Sequence, residues 1–333
     1  MKNKIAIASA FIAASSFSSA EIVVNDFLSF EGFVDMSYTH VDLDANDSSD
    51  NTFGLDQVEI SWLFDFDPIT AQIDLQYLGD NQAENGTSVE QAFVTYHVDN
   101  GGAFTAGLYA SMLGFEAFEP TGLYQFSLAY DGSAGTLLPD YAQGVKYTHE
   151  TESTFFGVSI QDTAVEGSYR GRLGGNDNGS LVADDGGFGI EVAGSVSLET
   201  GYSFFLGGAI EDGDDGDSYV VNTYATYETG AWIFAAELNY GESDSGVLGT
   251  DGTVFSGLLM ANFAYSDVAS ITGRLSYVDV DSDTIGDNWL KYTLAHGYAF
   301  TDNLFFVTEV SYSDLDNAST SALSAAAELI FSF

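Results

Sequence analysis

The 333-residue sequence has no cysteine, three prolines and seven basic residues. Past residue 20 it has no apolar run near the length of a membrane-spanning helix. Each shortage excludes something. Without thiols there is no disulfide framework, thiolate metal site or cysteine nucleophile. With seven basic residues against 50 acidic ones, a formal net charge of -43, the chain cannot oppose a polyanionic backbone, and nucleic acid is excluded as a partner. A helical span needs about twenty apolar residues, so any passage through a bilayer has to be made by strands. The prolines, Pro68, Pro120 and Pro139, fall between strand-like runs, as ladder hydrogen bonding demands.

What is present points to an ordered chain. Acidic disordered chains are poor in aromatics, whereas this one carries 26 Phe and 19 Tyr, with 36 Gly to make turns. Residues 1–20 have the shape of a secretory signal peptide. Met1-Lys2-Asn3-Lys4 is a basic head, Ile5 to Ala14 an apolar run, and Ser18-Ser19-Ala20 offers small residues at a cleavage site. Cleavage after Ala20 leaves a single domain, 21–333, in which no cysteine could carry a lipid anchor. Loss of Lys2 and Lys4 makes the mature charge 5 - 50 = -45.

The body alternates at period two. Val58, Ile60, Trp62, Phe64 and Phe66 are separated by Glu59, Ser61, Leu63 and Asp65; Ile69, Ala71, Ile73, Leu75 and Tyr77 by Thr70, Gln72, Asp74 and Gln76. Each run has one apolar and one mostly polar face. The runs are about ten to thirteen residues long, which suits tilted crossings of a bilayer better than the shorter strands of a soluble sandwich. The sequence ends within such a run, Leu323, Ala325, Ala327, Leu329, Phe331 and Phe333 sharing one face. The fold expected is an all-β, transmembrane antiparallel barrel, closed because an open edge would leave backbone groups unpaired in hydrocarbon.

Parity counts the strands. Short links alternate with long polar ones, and with both termini on one side the number of crossings is even. The expected crossings are 29–41, 53–66, 69–79, 88–98, 103–112, 143–150, 153–162, 187–199, 201–211, 218–228, 231–242, 253–265, 269–280, 289–300, 303–315 and 321–333, sixteen in all. The alternative is eighteen, with Leu113 to Ala142 forming a further hairpin. Otherwise that segment is a third outward loop of about thirty residues, and loops so long are commonly functional. The expectation is that it folds into the lumen, packed by Phe115, Phe118, Leu123 and Tyr124.

Two stretches carry a family resemblance. Asn51-Thr52-Phe53-Gly54-Leu55-Asp56-Gln57-Val58-Glu59, followed by Val89-Glu90-Gln91-Ala92-Phe93-Val94-Thr95-Tyr96, resembles the OmpL-like β-barrel porin-2 family. So does Leu113-Gly114-Phe115-Glu116-Ala117-Phe118-Glu119-Pro120 with Gln143-Gly144-Val145-Lys146-Tyr147. The wording covers mainly residues 30 to 150. The resemblance implies a bacterial outer-membrane channel, without naming a solute or bringing catalytic residues. General diffusion porins usually set an arginine cluster across from acids on the third loop, and here arginine is scarce.

A sixteen-stranded barrel is wide enough for a water-filled lumen. The face opposite the apolar stripe gives that lumen Glu31, Asp35, Glu59, Asp74, Glu90, Glu191, Glu237, Glu309 and Glu328 against Lys146, Arg274 and Lys291. Confined carboxylates concentrate cations and repel anions, so the expected function is a cation-preferring porin for passive diffusion of small hydrophilic solutes. Glu116 and Glu119 are the expected constriction residues, opposed by the three bases. A substrate-specific channel of the same fold and a non-conducting structural or adhesion barrel are the alternatives. Expected partners are outer-membrane lipid, lipopolysaccharide and permeating solutes or cations, with a homotrimer by analogy to sixteen-stranded porins.

Other constellations carry less. Asp279, Asp281, Asp283 and Asp287 have near-calcium spacing, but Thr284 and Leu290 stand where an EF-hand loop needs Gly and Glu. No metal ligands and no cofactor are assigned. His40, His149 and His296 fall on the lipid register and His97 near a rim, and no nucleophile, base and orienter converge, so no catalytic residues are expected.

Overall fold

The computed structural model describes residues 21–44, 48–78, 87–116, 118–130, 137–162, 164–165, 188–213, 216–243, 251–282, 286–315 and 320–333. The signal segment 1–20 and its cleavage site lie outside the described residues, as does Asp283. So do most of the expected outward loops, including 79–86, 166–187, 244–250 and 316–319.

Alternating apolar and polar residues, rich in aromatic and β-branched types, form strands throughout. They are β1 (Ile22–Asn25), β2 (Leu28–Leu43), β3 (Ser48–Asp65), β4 (Ile69–Leu78), β5 (Thr87–Val98), β6 (Gly102–Ala110), β7 (Tyr141–Glu150), β8 (Thr154–Gln161) and β9 (Phe188–Ser197). Then follow β10 (Tyr202–Gly213), β11 (Gly216–Thr229), β12 (Trp232–Ser243), β13 (Gly252–Ser266), β14 (Ala269–Ser282), β15 (Gly286–Thr301), β16 (Leu304–Leu315) and β17 (Thr320–Ser332). From β2 onward each pairs antiparallel with the next, and β17 returns to β2 with Ala322 opposite Leu43 and Ser332 opposite Phe33. Sixteen strands, β2 to β17, therefore close a barrel, the expected count and an even one. The described part of Leu113 to Ala142 adds no hairpin, only a 3-10 turn at Pro120–Gly122, before β7 begins at Tyr141.

Two features depart from the expectation. The first is β1, which pairs with β2 from Ile22 opposite Phe30 to Asn25 opposite Leu28. It continues the edge of β2 where β17 stops, next to Phe333, whose backbone exchanges hydrogen bonds of 2.8 and 2.9 Å with Gly32. The second is the reach of the β2–β3 hairpin, whose ladder extends through residues read as loop to Leu43 opposite Ser48. Polar pairs hold that extension: Asn51 Oδ1 accepts from Tyr38 at 2.7 Å and lies 2.9 Å from His40 Nδ1.

The outer wall carries the apolar stripe, with Leu206, Leu294 and Ile160 each more than 60% exposed. Stacked aromatics mark the short-turn rim, Tyr202 with Tyr227 at 4.2 Å and Trp232 with Phe263 at 4.4 Å, in the manner of an interfacial girdle. The turn between β5 and β6 requires glycine: Gly101 has φ +84°, and a Cβ there would collide with the Glu150 carbonyl oxygen.

Two β-bulges shape the inner face. The ladder steps from Asp35 opposite Gln57 to Met36 opposite Leu55, leaving Asp56 as the extra residue. It steps likewise from Asp74 opposite Gln91 to Leu75 opposite Val89, leaving Glu90. Regular alternation with the exposed Val94 and Tyr96 would turn Glu90 outward; the bulge re-aims it, and Glu90 is 5% exposed.

Candidate functional site

The face opposite the apolar stripe divides into two arcs. Along β16, β17 and β2 to β5 it presents Glu309, Glu328, Asp35, Glu59, Asp74 and Glu90, all buried. Along β9 to β15 it is mixed, with Glu191, Glu211, Asn222, Glu237, Arg274 and Lys291 buried among apolar residues. Phe205, Val220, Tyr224, Ala235, Val254, Leu258, Met260, Val278, Val280 and Trp289 form one cluster with Met112, Leu113, Phe115, Ala129, Tyr130 and Leu137 of the long loop. Phe205 stacks on Tyr224 at 4.5 Å, and Phe115 meets Tyr224 edge-on at 5.7 Å. Burying each such side chain contributes about 2 kcal/mol, so this arc is the seat on which the loop packs.

The charged residues expected to line a pore on this side hydrogen-bond the loop, and so does Glu309 of the acidic arc. Glu191 accepts from the Met112 amide at 2.5 Å and the Ser111 hydroxyl at 2.9 Å. Glu237 accepts from the Phe115 amide at 2.7 Å, the Tyr130 hydroxyl at 2.8 Å and Asn222 Nδ2 at 2.8 Å, while Asn222 Oδ1 accepts from the Gly114 amide at 3.0 Å. Burial and the neighbouring Glu237 carboxylate push the Tyr130 phenol above its ordinary range, so it remains a donor. Arg274 donates to Glu116 at 2.5 Å and to the carbonyls of Ser127 at 2.7 Å and Leu128 at 2.9 Å. Lys291 donates to Leu128 O at 3.0 Å, and Glu309 accepts from the Ser127 amide and hydroxyl.

The two expected constriction residues thus have opposite surroundings. Glu116 is paired with Arg274 and also accepts from Gln125 and the Ala129 amide. Glu119 meets other acids. Gln57 donates to it at 3.0 Å and to Glu59 at 3.4 Å, and one carboxylate oxygen from each of Glu59, Glu90 and Glu119 lies within 4.8 Å of the others. Burial first, then the charge of Glu90, pushes the Glu119 carboxyl up to about 8. Asp74 adjoins this group, held by Gln72 and Gln91. Lys146 sits 4.3 Å from the centre of the Tyr109 ring. Of the expected loop packers, Phe115 is buried in the seat, Tyr124 packs at its margin, Leu123 is half-buried, and Phe118 tilts against Tyr141 at 5.4 Å.

Asn222, Gln57 and Tyr130 were not singled out from sequence. Asn222 and Gln57 stand on the inward register, which marks them polar-facing without distinguishing them from their many equivalents. His40, His149 and His296 are half-buried on the register of the outer stripe, and His296 lies 2.7 Å from the Tyr265 hydroxyl.

Comparison with known proteins agrees with this architecture. Among solved structures, an anion-selective porin from Comamonas acidovorans superposes with a TM-score of 0.67 at 15% identity, over 92% of this chain and 99% of that one. OmpT of Vibrio cholerae gives 0.67 at 13% identity over 94% and 100%, and the outer-membrane channel DcaP of Acinetobacter baumannii 0.66 at 11% over 92% and 97%. At such identities the likeness is one of fold. No curated protein sequence matches the chain. The model of the family described as beta-barrel porin-2, OmpL-like, matches residues 28–333. That family and the barrel fold point to a channel rather than an enzyme, and to the bacterial outer membrane. A closed sixteen-stranded barrel with an apolar exterior, matched by this family over nearly its whole length, belongs to the OmpL-like β-barrel porin-2 family.

Proposed function

We propose that the protein is an outer-membrane porin for small hydrophilic solutes, in which the long loop 111–140 lies within the lumen and narrows the path to the acidic arc. The observation that carries the reading is the asymmetry of the loop's two carboxylates. Glu116 is neutralised by Arg274, whereas Glu119 projects toward Glu59 and Glu90, and every charge acting strongly on it is an acid. The remaining path is bordered by Asp35, Glu59, Asp74, Glu90 and Glu119, so it favours cations. Anion selectivity is a property named for the Comamonas porin; the acid arc here argues for the opposite sign. Glu191, Glu237, Arg274, Lys291 and Lys146 are assigned to holding the loop and its approach. Residues 1–20 serve as the export signal, and the trimer form described for a Vibrio cholerae OmpT structure extends to this chain as a homotrimer.

The test is the reversal potential of the purified protein in a planar bilayer under a KCl gradient. The expected sign is that of potassium preference. Glu119→Lys shifts it toward chloride severalfold more than Glu116→Gln does, and a wild-type preference for chloride overturns the reading. A non-conducting barrel is the competing interpretation, favoured by the packed seat and the many clamps on the loop. A folded barrel that gives no current steps selects it.

A further inference from the structure

The triad Glu59, Glu90 and Glu119 invites a chemical question that passive diffusion does not answer. Glu59 comes from β3, Glu90 from the bulge of β5 and Glu119 from the loop, so three separate elements converge on one point. Their facing oxygens lie within 4.8 Å of one another. Gln57 bridges two of them and Ser61 donates to Glu59 at 3.0 Å, yet Glu90, 95% buried, has an oxygen, Oε2, with no hydrogen-bond partner. A buried carboxylate oxygen without a donor, beside two further carboxylates, is unfavourable as an anion unless a cation or a proton joins it.

We infer that Glu59, Glu90 and Glu119 form a binding site for a calcium-like divalent cation, which ties the long loop to the barrel wall beside the permeation path. Size and donor type select the ion. Hard carboxylate oxygens suit Ca2+, whose oxygen ligands lie at about 2.3–2.6 Å, so opposite ligands around one ion stand about 5 Å apart. The spacing of the triad falls within that span. Mg2+, at about 2.1 Å with stricter octahedral geometry, would require the three groups to close in further. Gln57 supplies a neutral fourth ligand if its amide turns its oxygen inward, an orientation that exchanges the present donor for an acceptor. Three ionised carboxylates and one divalent ion together carry a single negative charge. The bulge gains a purpose on this account: without it Glu90 would belong to the outer register.

The inference deepens the porin reading and rests on it for its electrical consequence, that bound Ca2+ lowers potassium flow past the triad. The full-length protein, with its barrel verified by heat-dependent gel mobility, is reconstituted in a planar bilayer in KCl and titrated with CaCl2. Expected is a saturable fall in potassium current. Its midpoint moves about tenfold or more to higher calcium in Glu90→Gln and in Glu119→Gln, the second variant lying off the wall and so sparing the ladder. Asp279→Asn, at an exposed site in β14, leaves the midpoint in place. A wild-type potassium current indifferent to calcium, or Glu90→Gln and Glu119→Gln titrating like wild type, overturns the inference while leaving the porin reading intact. If no current is seen at all, equilibrium dialysis with radioactive calcium decides separately. One ion fewer per chain in Glu90→Gln than in wild type upholds the site although the channel reading has failed, and equal binding rejects it.

Discussion

The two arcs of the inner wall differ in how they treat the same kind of residue. On β9 and β12, Glu191 and Glu237 lie under the loop and are saturated by its amides and hydroxyls, surrounded by aromatic and aliphatic side chains. On β3 and β5, Glu59 and Glu90 face the loop's Glu119, with almost nothing to donate to them. Position on the inward register therefore does not define a carboxylate's role. What the loop brings to it does: main-chain N–H groups on one side, another carboxylate on the other. The difference teaches that most of the loop's anchoring and the cluster of unmatched acids lie on different arcs, while Glu309 of the acidic arc also accepts loop donors at Ser127.

That separation can be broken in order of expected effect. Arg274→Ala strips Glu116 of its counter-ion and two loop carbonyls of their donor, and removing one partner of a buried pair costs about 4 kcal/mol. The loop is expected to detach, raising unit conductance in bilayers and opening residues 111–140 to protease. Glu237→Ala orphans three donors, at about 1 kcal/mol or more each, and gives the same phenotype more weakly. Tyr130→Phe removes one bond to a charged acceptor, about 2 kcal/mol, and is expected to register as faster proteolysis of the loop with conductance nearly unchanged. None of these three should reverse the ion preference, because the acidic arc remains; a reversal in any of them would merge the two roles. The smallest effect is that of salt. Raising KCl from 0.1 to 1 M shortens the screening length from about 10 to about 3 Å, so the reversal potential, corrected for gradient, should decline without changing sign.

Much of this architecture was legible in the sequence. The wall strands follow from period-two alternation, and parity disposed of a single extra strand in Leu113 to Ala142. What escaped was local or cooperative. β1 is four residues, Ile22–Asn25, too short to show a period, and it exists because β2 has edge left to pair. The apolar seat had a signal: Phe204-Phe205-Leu206 and Leu258-Leu259-Met260 are apolar on both faces, which a wall between lipid and water alone does not explain. The triad had none. Glu59, Glu90 and Glu119 are far apart in the chain, and their convergence depends on a ladder shift at Asp74 and on which way the loop crosses. Likewise nothing in the spacing of Glu116 and Glu119 foretold that one would meet an arginine and the other its own kind.

The seam between β17 and β2 joins residues near the two extremes of the polypeptide, Leu43 against Ala322. Until that last strand arrives, every partly assembled intermediate exposes two long unsatisfied borders, each a template for a neighbouring copy. Assembly is therefore expected to be decided late, when the final hairpin docks, with a nascent chain that must be shielded from its own kind until then.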